Sequence, residues 1–125
     1  MVVLLADDNR ILLSVLAMVL RSEGHEVLAT DSGRKALALA TEKQPDAAII
    51  DLHMPIVSGQ EVAAHCKSLD VPFVFISAYD EAEIKTAAQE LGARGYLLKP
   101  TTKAAMVNAI GRCAEGGAGD ASRCE

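Results

Sequence analysis

The chain has 125 residues, of which 50% are hydrophobic and 23% are charged. This length is typical of one domain, and the apolar fraction is too high for a disordered chain, so we expect a single packed core. Acidic residues outnumber basic ones by 17 to 12, which gives a net charge of -5. That balance argues against attraction to nucleic acid or to anionic lipid, so we expect neither direct nucleic acid binding nor membrane binding by this segment.

Nothing in the sequence indicates export or membrane insertion. No apolar run reaches the ~18 residues that a membrane span needs, and the opening residues MVVLLADDN lack the basic region and cleavage site of a secretion signal. The cysteines Cys66, Cys113 and Cys124 are scattered, without a C-x-x-C pair or zinc-ligand spacing. This pattern suits a reducing cytoplasm, where they would act as small apolar residues.

Short apolar runs alternate with segments of helical period along the chain. Four runs are too short for helices and predict buried strands, at 2–6, 47–50, 72–76 and 95–98. A weaker run at 26–29 predicts an edge strand. The segments between these runs predict helices, at 11–24, 34–44, 61–69, 81–92 and 104–116.

Strict alternation of strands and helices predicts an α/β fold. Parallel neighbours need crossover connections, so the expected architecture is a three-layer, doubly wound (βα)5 flavodoxin-like fold with a parallel sheet. Five units with a weak second strand suit the strand order 2-1-3-4-5, with a ligand site between strands one and three. We expect this domain to span residues 1–115. The stretch 116–125, GGAGDASRCE, is small, polar and unpatterned, and predicts a flexible tail or the start of a linker.

Polar residues follow the apolar strands where each strand ends. Asp7 and Asp8 follow the first strand, Asp51 the third, Ser77 the fourth and Lys99 the fifth. Carboxyl ends of parallel strands share one edge, so these side chains should converge. Three crowded carboxylates favour a hard divalent cation, and magnesium leaves room for phosphate oxygens. Lys99 would face a carboxylate or a phosphoryl group, and Ser77 could donate to a phosphoryl oxygen.

These residues belong to a set of four motifs. They are the pair Asp7-Asp8, the segment from Asp51 to Pro55 leading to Gly59, the pair Ser77-Ala78, and Tyr96 ahead of Lys99-Pro100. In this arrangement the chain resembles the receiver domain of two-component response regulators, over residues 1 to about 115. The resemblance implies phosphorelay signalling.

The resemblance also implies roles for individual residues. Asp51 would accept a phosphoryl group from a sensor histidine kinase or a histidine phosphotransfer protein, and Lys99 would grip that group. Asp8 and Asp51 would bind magnesium together with the backbone carbonyl of His53, and Asp7 would assist through water. The domain would catalyse only its own phosphorylation and dephosphorylation, so it would not be an enzyme acting on other molecules.

A switch is implied as well. Ser77 and Tyr96 would respond to phosphorylation and reshape the surface of the fourth helix, fifth strand and fifth helix for a downstream effector, with homodimerisation through that surface left open. A cis peptide would precede Pro100, and Gly59 would open the third helix. His53 and Tyr79 are both bulky, and we hypothesise that they shield the acyl phosphate from water.

Plainer interpretations exist for some of these residues. Asp8 or Asn9 could simply cap the first helix, as we expect Ser58 and Asp80 to cap later ones. Tyr96 could be an ordinary core residue.

Two alternative functions fit the sequence less well. A phosphatase of the haloacid dehalogenase type would need a second Asp two residues after its nucleophile, where this chain has His53 or Arg10. A pseudo-receiver that only binds protein typically loses the acceptor, the acid pair or the lysine, all of which are present here.

The sequence leaves open whether the domain stands alone or belongs to a longer regulator. Kinase specificity should lie on the first helix, around Ile11, Ser14, Val15 and Met18.

Overall fold

The computed structural model describes residues 1–115 and 121–125. In this part of the chain, five strands and five helices alternate. The strands are β1 (Val2–Ala6), β2 (Glu26–Thr30), β3 (Ala47–Asp51), β4 (Phe73–Ser77) and β5 (Tyr96–Leu98). The helices are α1 (Arg10–Ser22), α2 (Gly33–Lys43), α3 (Gly59–Ser68), α4 (Glu81–Leu91) and α5 (Lys103–Ala114).

The strands form one parallel sheet in the order β2-β1-β3-β4-β5. This confirms the predicted fold class and strand order. Apolar side chains pack on both faces of the sheet, with α2, α3 and α4 over one core and α1 and α5 over the other. Every residue of β3 and β4 is buried, as expected for central strands of a parallel sheet that is covered on both sides.

Side-chain caps determine where the helices begin. The Oδ1 atom of Asn9 accepts a hydrogen bond from the Leu12 amide at 3.1 Å and caps α1. Ser58 and Asp80 cap α3 and α4, which confirms the capping expected of both residues. Because Asn9 supplies the cap of α1, Asp8 is not needed for it.

The last residues depart from the expected flexible tail. Residues 116–120 of that stretch lie outside the described residues. Residues 121–125 pair with β5, where Arg123 forms a parallel bridge with Tyr96. The Tyr96 amide donates to the Ser122 carbonyl at 3.2 Å, and the Cys124 amide donates to the Tyr96 carbonyl at 2.8 Å. The pairing follows from the open edge of β5, whose backbone groups bind an extended segment whatever its side-chain pattern.

The thiols of Cys66 and Cys113 are buried in the core. Burial raises the pKa of the Cys66 thiol to about 11 and that of Cys113 to about 12, so both stay protonated and unreactive near neutral pH.

Among the described residues, no helix has the length and apolar character required to cross a membrane.

Candidate functional site

Three carboxylates meet at the carboxyl ends of β1 and β3. Asp7 and Asp8 directly follow β1, and Asp51 is the last residue of β3. Because β1 and β3 are neighbours in the sheet, carboxylate oxygens of the three residues lie within 4.8 Å of one another. Asp7 and Asp51 are buried and Asp8 is exposed, so the cluster has one open side.

Lys99 joins this cluster from the far strand. It directly follows β5, and its long side chain reaches over the end of β4 to the acid cluster. Its Nζ atom lies 3.0 Å from Asp7 Oδ2 and 3.3 Å from Asp51 Oδ2. The Lys99 amide donates to the Ser77 carbonyl at 2.8 Å, and the Lys99-Pro100 peptide is cis as expected. One ammonium group therefore pairs with both buried carboxylates.

The charges of the cluster do not balance. Burial, reinforced by the negative charge of Asp7, raises the pKa of Asp51 to about 7, although Lys99 acts in the opposite direction. Burial alone would lower the pKa of Lys99, but its contacts with Asp7 and Asp51 outweigh burial and raise it. Three acids thus face one ammonium group, and an additional positive charge would relieve their repulsion.

The donor atoms of the cluster suit a hard cation. In the described part of the chain, the buried Asp7 Oδ2 has the Lys99 ion pair but no hydrogen-bond donor in favourable geometry. Asp8 and Asp51 add further carboxylate oxygens beside it. A set made only of oxygen atoms, partly open to solvent, fits magnesium, which keeps several waters. These residues do not offer the sulfur and imidazole ligands typical of zinc.

His53 covers one side of Asp51. Its amide donates to Asp51 Oδ1 at 3.2 Å, and its ring stands edge-on to Tyr79 with 5.0 Å between the ring centroids. The His53 Nε2 atom lies 3.1 Å from Glu83 Oε1. The sequence does not predict this contact of Glu83, because only the packing of α4 brings that residue over the loop after β3.

Ser77 and Tyr96 occupy different positions relative to the acid cluster. Ser77 is buried at the end of β4, and its Oγ atom accepts a hydrogen bond from the Tyr79 amide at 3.1 Å. Tyr96 lies outside the cluster, and its hydroxyl donates to Glu81 Oε2 at 2.8 Å. Burial and then the Glu81 carboxylate raise the pKa of Tyr96. The sequence carries no local signal for Glu81 as this partner.

Gly59 allows α3 to begin close to the acid site. The helix starts at this residue, as the resemblance implied. A Cβ atom at this position would lie 2.8 Å from the Leu52 Cα and would overlap the Asp51 carbonyl oxygen. Only glycine therefore permits this approach of α3 to the backbone that carries Asp51.

Comparison with known proteins gives one family. The sequence model of the response regulator receiver domain matches residues 3–111. The transcriptional regulatory protein PrrA of Mycobacterium tuberculosis is 37% identical over 107 residues, covering 84% of this chain and 46% of PrrA. The probable transcriptional regulatory protein NarL of the same organism is 36% identical over 118 residues, covering 91% of this chain and 55% of NarL.

Solved structures agree with this match. The signal receiver domain of the putative response regulator NarL from M. tuberculosis superposes with a TM-score of 0.79 at 33% identity, covering 93% of this chain and 97% of that one. Vibrio cholerae chemotaxis protein CheY4 gives a TM-score of 0.81 at 28% identity, covering 90% of this chain and 97% of that one.

The fold, the acid cluster and these matches define a class of phosphorelay signalling module. The chain belongs to the response regulator receiver domain family, which confirms the resemblance drawn from the sequence. It spans about half the length of the curated relatives it matches.

Proposed function

We propose that the chain accepts a phosphoryl group on Asp51 from a phosphohistidine, in a reaction that requires magnesium. The donor would be a sensor histidine kinase or a histidine phosphotransfer protein. One observation carries the proposal: the buried Asp51 carboxylate lies in a cluster with two further aspartates and 3.3 Å from the Lys99 ammonium. This arrangement provides a nucleophile beside positive charge for an incoming phosphoryl group.

A carboxylate oxygen of Asp51 forms a bond to phosphorus as the phosphorus–nitrogen bond of the phosphohistidine breaks. The imidazole leaves with the electron pair and takes up a proton from solvent. Lys99 pairs with the phosphoryl oxygens as they approach. Water later attacks the phosphorus, which releases phosphate and restores the Asp51 carboxylate.

Magnesium would be held by the carboxylates of Asp8 and Asp51 and the backbone carbonyl of His53, with Asp7 acting through water. When bound, the ion supplies neutralisation of the negative charge on the transferring oxygens. Lys99 holds the carboxylate of Asp51 in position through one ion pair, and a second ion pair from the same ammonium group to Asp7 keeps Lys99 in place.

Ser77 and Tyr96 would change position when Asp51 is phosphorylated. Phosphorylation adds about 1.5 to 2 negative charges, and the Ser77 hydroxyl would move from the Tyr79 amide to donate to the new oxygens. Tyr96 would then leave Glu81 and turn inward, which changes the surface of α4, β5 and α5 presented to a downstream effector. Homodimerisation through this surface is part of the same proposal.

The donor protein would dock beside α1. Ile11 and Met18 on this helix have 82% and 68% of their surface exposed, and exposed apolar side chains next to an active site suit a protein partner.

We further propose a cytoplasmic setting. The free, buried thiols of Cys66 and Cys113 are compatible with a reducing compartment.

The contacts of two residues argue against a phosphatase of the haloacid dehalogenase type. His53 occupies one candidate position for a second catalytic Asp, and its imidazole contacts Glu83. Arg10 occupies the other, and its guanidinium pairs with Asp31 at 2.6 Å. Neither residue offers a carboxyl group to protonate a leaving alcohol.

Intact mass after incubation with magnesium and acetyl phosphate tests the proposal. Wild-type protein should gain one phosphoryl mass, while Asp51→Asn and a magnesium-free sample should gain none. Asp46→Asn is the matched control, because Asp46 is exposed and directly precedes the first residue of β3, at the end of the strand away from Asp51.

A gain that persists in Asp51→Asn would overturn the choice of acceptor. No gain under donor excess, together with no complex with magnesium and beryllofluoride, would overturn the proposal in favour of a pseudo-receiver. Beryllofluoride is included because its complex does not hydrolyse and would reveal a site whose phosphoryl state is too short-lived for the mass measurement.

A further inference from the structure

Residues 121–125 lie along the open edge of β5, and we name this segment the strap. β5 is the last strand of the sheet. The Tyr96 amide donates to Ser122 and the Tyr96 carbonyl accepts from Cys124. The strap thus satisfies both backbone groups of Tyr96 that point away from β4. Ala121 and Cys124 are buried, so the strap is packed against the domain.

Side-chain contacts from α5 fasten the strap. The Arg112 Nη1 atom donates to the Ser122 carbonyl at 2.9 Å and to its hydroxyl at 3.1 Å, and Nη2 donates to the Arg123 carbonyl at 3.2 Å. Asn108 Nδ2 donates to the Glu125 carbonyl at 3.2 Å. Three hydrogen bonds from one face of α5 therefore hold the strap backbone, and a fourth holds the Ser122 hydroxyl.

Gly95 leaves the space that the strap occupies. A Cβ atom at this position would lie 2.7 Å from Arg112 Nη1, 2.7 Å from the Ser122 carbonyl oxygen and 2.8 Å from Cys124 Sγ. Gly95 has no positive φ, so its backbone would accept other residues. The steric reason for glycine here is the approach of the strap and its arginine.

The strap also contacts the partner of the switch tyrosine. Glu81 Oε2 accepts the hydrogen bond from the Tyr96 hydroxyl at 2.8 Å and lies 3.9 Å from Arg123 Nη1. One carboxylate oxygen of α4 therefore meets both the tyrosine side chain and the strap. The strap thus pairs with the Tyr96 backbone and also contacts Glu81, the partner of the Tyr96 hydroxyl.

We propose that the strap is an autoinhibitory strand that keeps the β5 edge and the surface of α4, β5 and α5 closed until Asp51 is phosphorylated. This inference rests on the proposed function for its trigger, and the docking of the strap stands independently of it. When Tyr96 leaves Glu81 and turns inward, Tyr96 and Glu81 no longer hold the strap as a pair, and the strap detaches from the edge. Coupling is reciprocal, so opening the strap must favour the phosphorylated conformation.

Hydrogen exchange at the Tyr96 amide, followed by NMR in the full chain, measures the strap directly because the acceptor of this amide lies in the strap. Gly95→Ala should expel the strap by steric overlap, and Cys124→Pro should remove the amide that donates to Tyr96. Each should speed exchange at Tyr96 about tenfold or more. The matched controls are Gly111→Ala, where a Cβ meets nothing within 4 Å, and Cys124→Ala, which keeps the amide.

The Ile49 amide in β3 serves as the internal reference for folding. It should remain protected in all four variants, so that fast exchange at Tyr96 reports the strap and not unfolding. A slowly exchanging Tyr96 amide in both opening variants, with Ile49 protected, would overturn docking of the strap.

Magnesium with beryllofluoride then tests the trigger. In wild-type protein this complex should speed exchange at Tyr96, and the two opening variants should bind beryllofluoride about fivefold more tightly than their controls. If the protein is phosphorylated on Asp51 but exchange at the Tyr96 amide does not change with beryllofluoride, the autoinhibitory role is overturned and the proposed function stands. Absence of both phosphoryl gain and beryllofluoride binding would overturn the proposed function together with the trigger.

Discussion

Asp51 is a buried carboxylate that has like charges as neighbours. Its pKa in the folded protein is raised from 3.8 to about 7, so the folded state binds this proton more tightly than the unfolded state does. The contribution of Asp51 to stability is therefore present below about pH 4 and is lost as the pH rises through about 7. Without a cation, the ionised site opposes folding at higher pH.

We therefore expect Asp51→Asn to stabilise the magnesium-free protein by about 1 to 3 kcal/mol at pH 8. The difference from wild type should shrink towards pH 4.5. Urea unfolding in the presence of a chelator measures both values, and Asp46→Asn controls for the loss of one surface charge. An Asp51→Asn protein less stable than wild type at pH 8 would contradict the raised pKa.

Tyr79 lies next to His53 beside the acid cluster, and we predict that it shields a phosphoryl group on Asp51 from water. Its ring packs against His53, which contacts Asp51, yet the Tyr79 side chain is itself 70% exposed. We expect Tyr79→Ala to admit water and to speed loss of the phosphoryl group about 3- to 10-fold. Tyr79→Phe keeps the ring and should decay as wild type does. Decay measured by intact mass that is unchanged or slower in Tyr79→Ala would refute this shielding role.

The residues of the candidate site differ in how far sequence could predict them. Asp7 and Lys99 directly follow strands and Asp51 ends one. The strand ends of a parallel sheet share an edge whatever the details of packing. Glu81 and Glu83 act from the first turn of α4. Their contacts depend on where that helix lies across the sheet, and no short-range pattern encodes this position.

At the scale of elements, α3 illustrates how one residue controls a helix start. A Cβ atom on Gly59 would collide with the Asp51 and Leu52 backbone, so Gly59→Ala forces α3 away from the site. We expect a loss of about 1 to 3 kcal/mol in unfolding free energy and slower phosphorylation by acetyl phosphate. Urea unfolding and the rate of phosphoryl gain measure the two effects.

The matched control for this substitution lies on α5. Gly111→Ala adds the same methyl group in open space, and alanine favours an α-helix over glycine, so this variant should gain about 0.5 to 1 kcal/mol. Equal destabilisation by both substitutions would contradict the steric explanation for Gly59.

Strands and helices were predictable because their signals are local. Apolar runs of strand length, helical spacing and the caps Ser58 and Asp80 each depend on residues close in sequence. The pairing of residues 121–125 was not predictable in this way. It depends on an unsatisfied strand edge and on Arg112 from α5, which contact the segment only after the domain has folded.

For the whole molecule, a bound cation should stabilise the fold. Magnesium that binds the folded state and not the unfolded chain raises stability by about 2.7 kcal/mol at a concentration 100 times its Kd. We expect Tm to rise with magnesium in wild type and in Asp46→Asn. Asp8→Asn should lose most of this rise, because Asp8 is the exposed member of the acid cluster. A rise of wild-type size in Asp8→Asn would argue against magnesium at this cluster.

The sequence by itself determined the order of elements, the layered parallel architecture and the convergence of Asp7, Asp8, Asp51 and Lys99. These follow from local periodicity and from the shared edge of parallel strands, so they need no knowledge of side-chain packing. Only the tertiary structure decided that one ammonium group bridges Asp7 and Asp51, and that Tyr96 rests on Glu81. It also decided that the strap closes the β5 edge. Such contacts join residues far apart in the chain, and their geometry depends on how helices pack across the sheet.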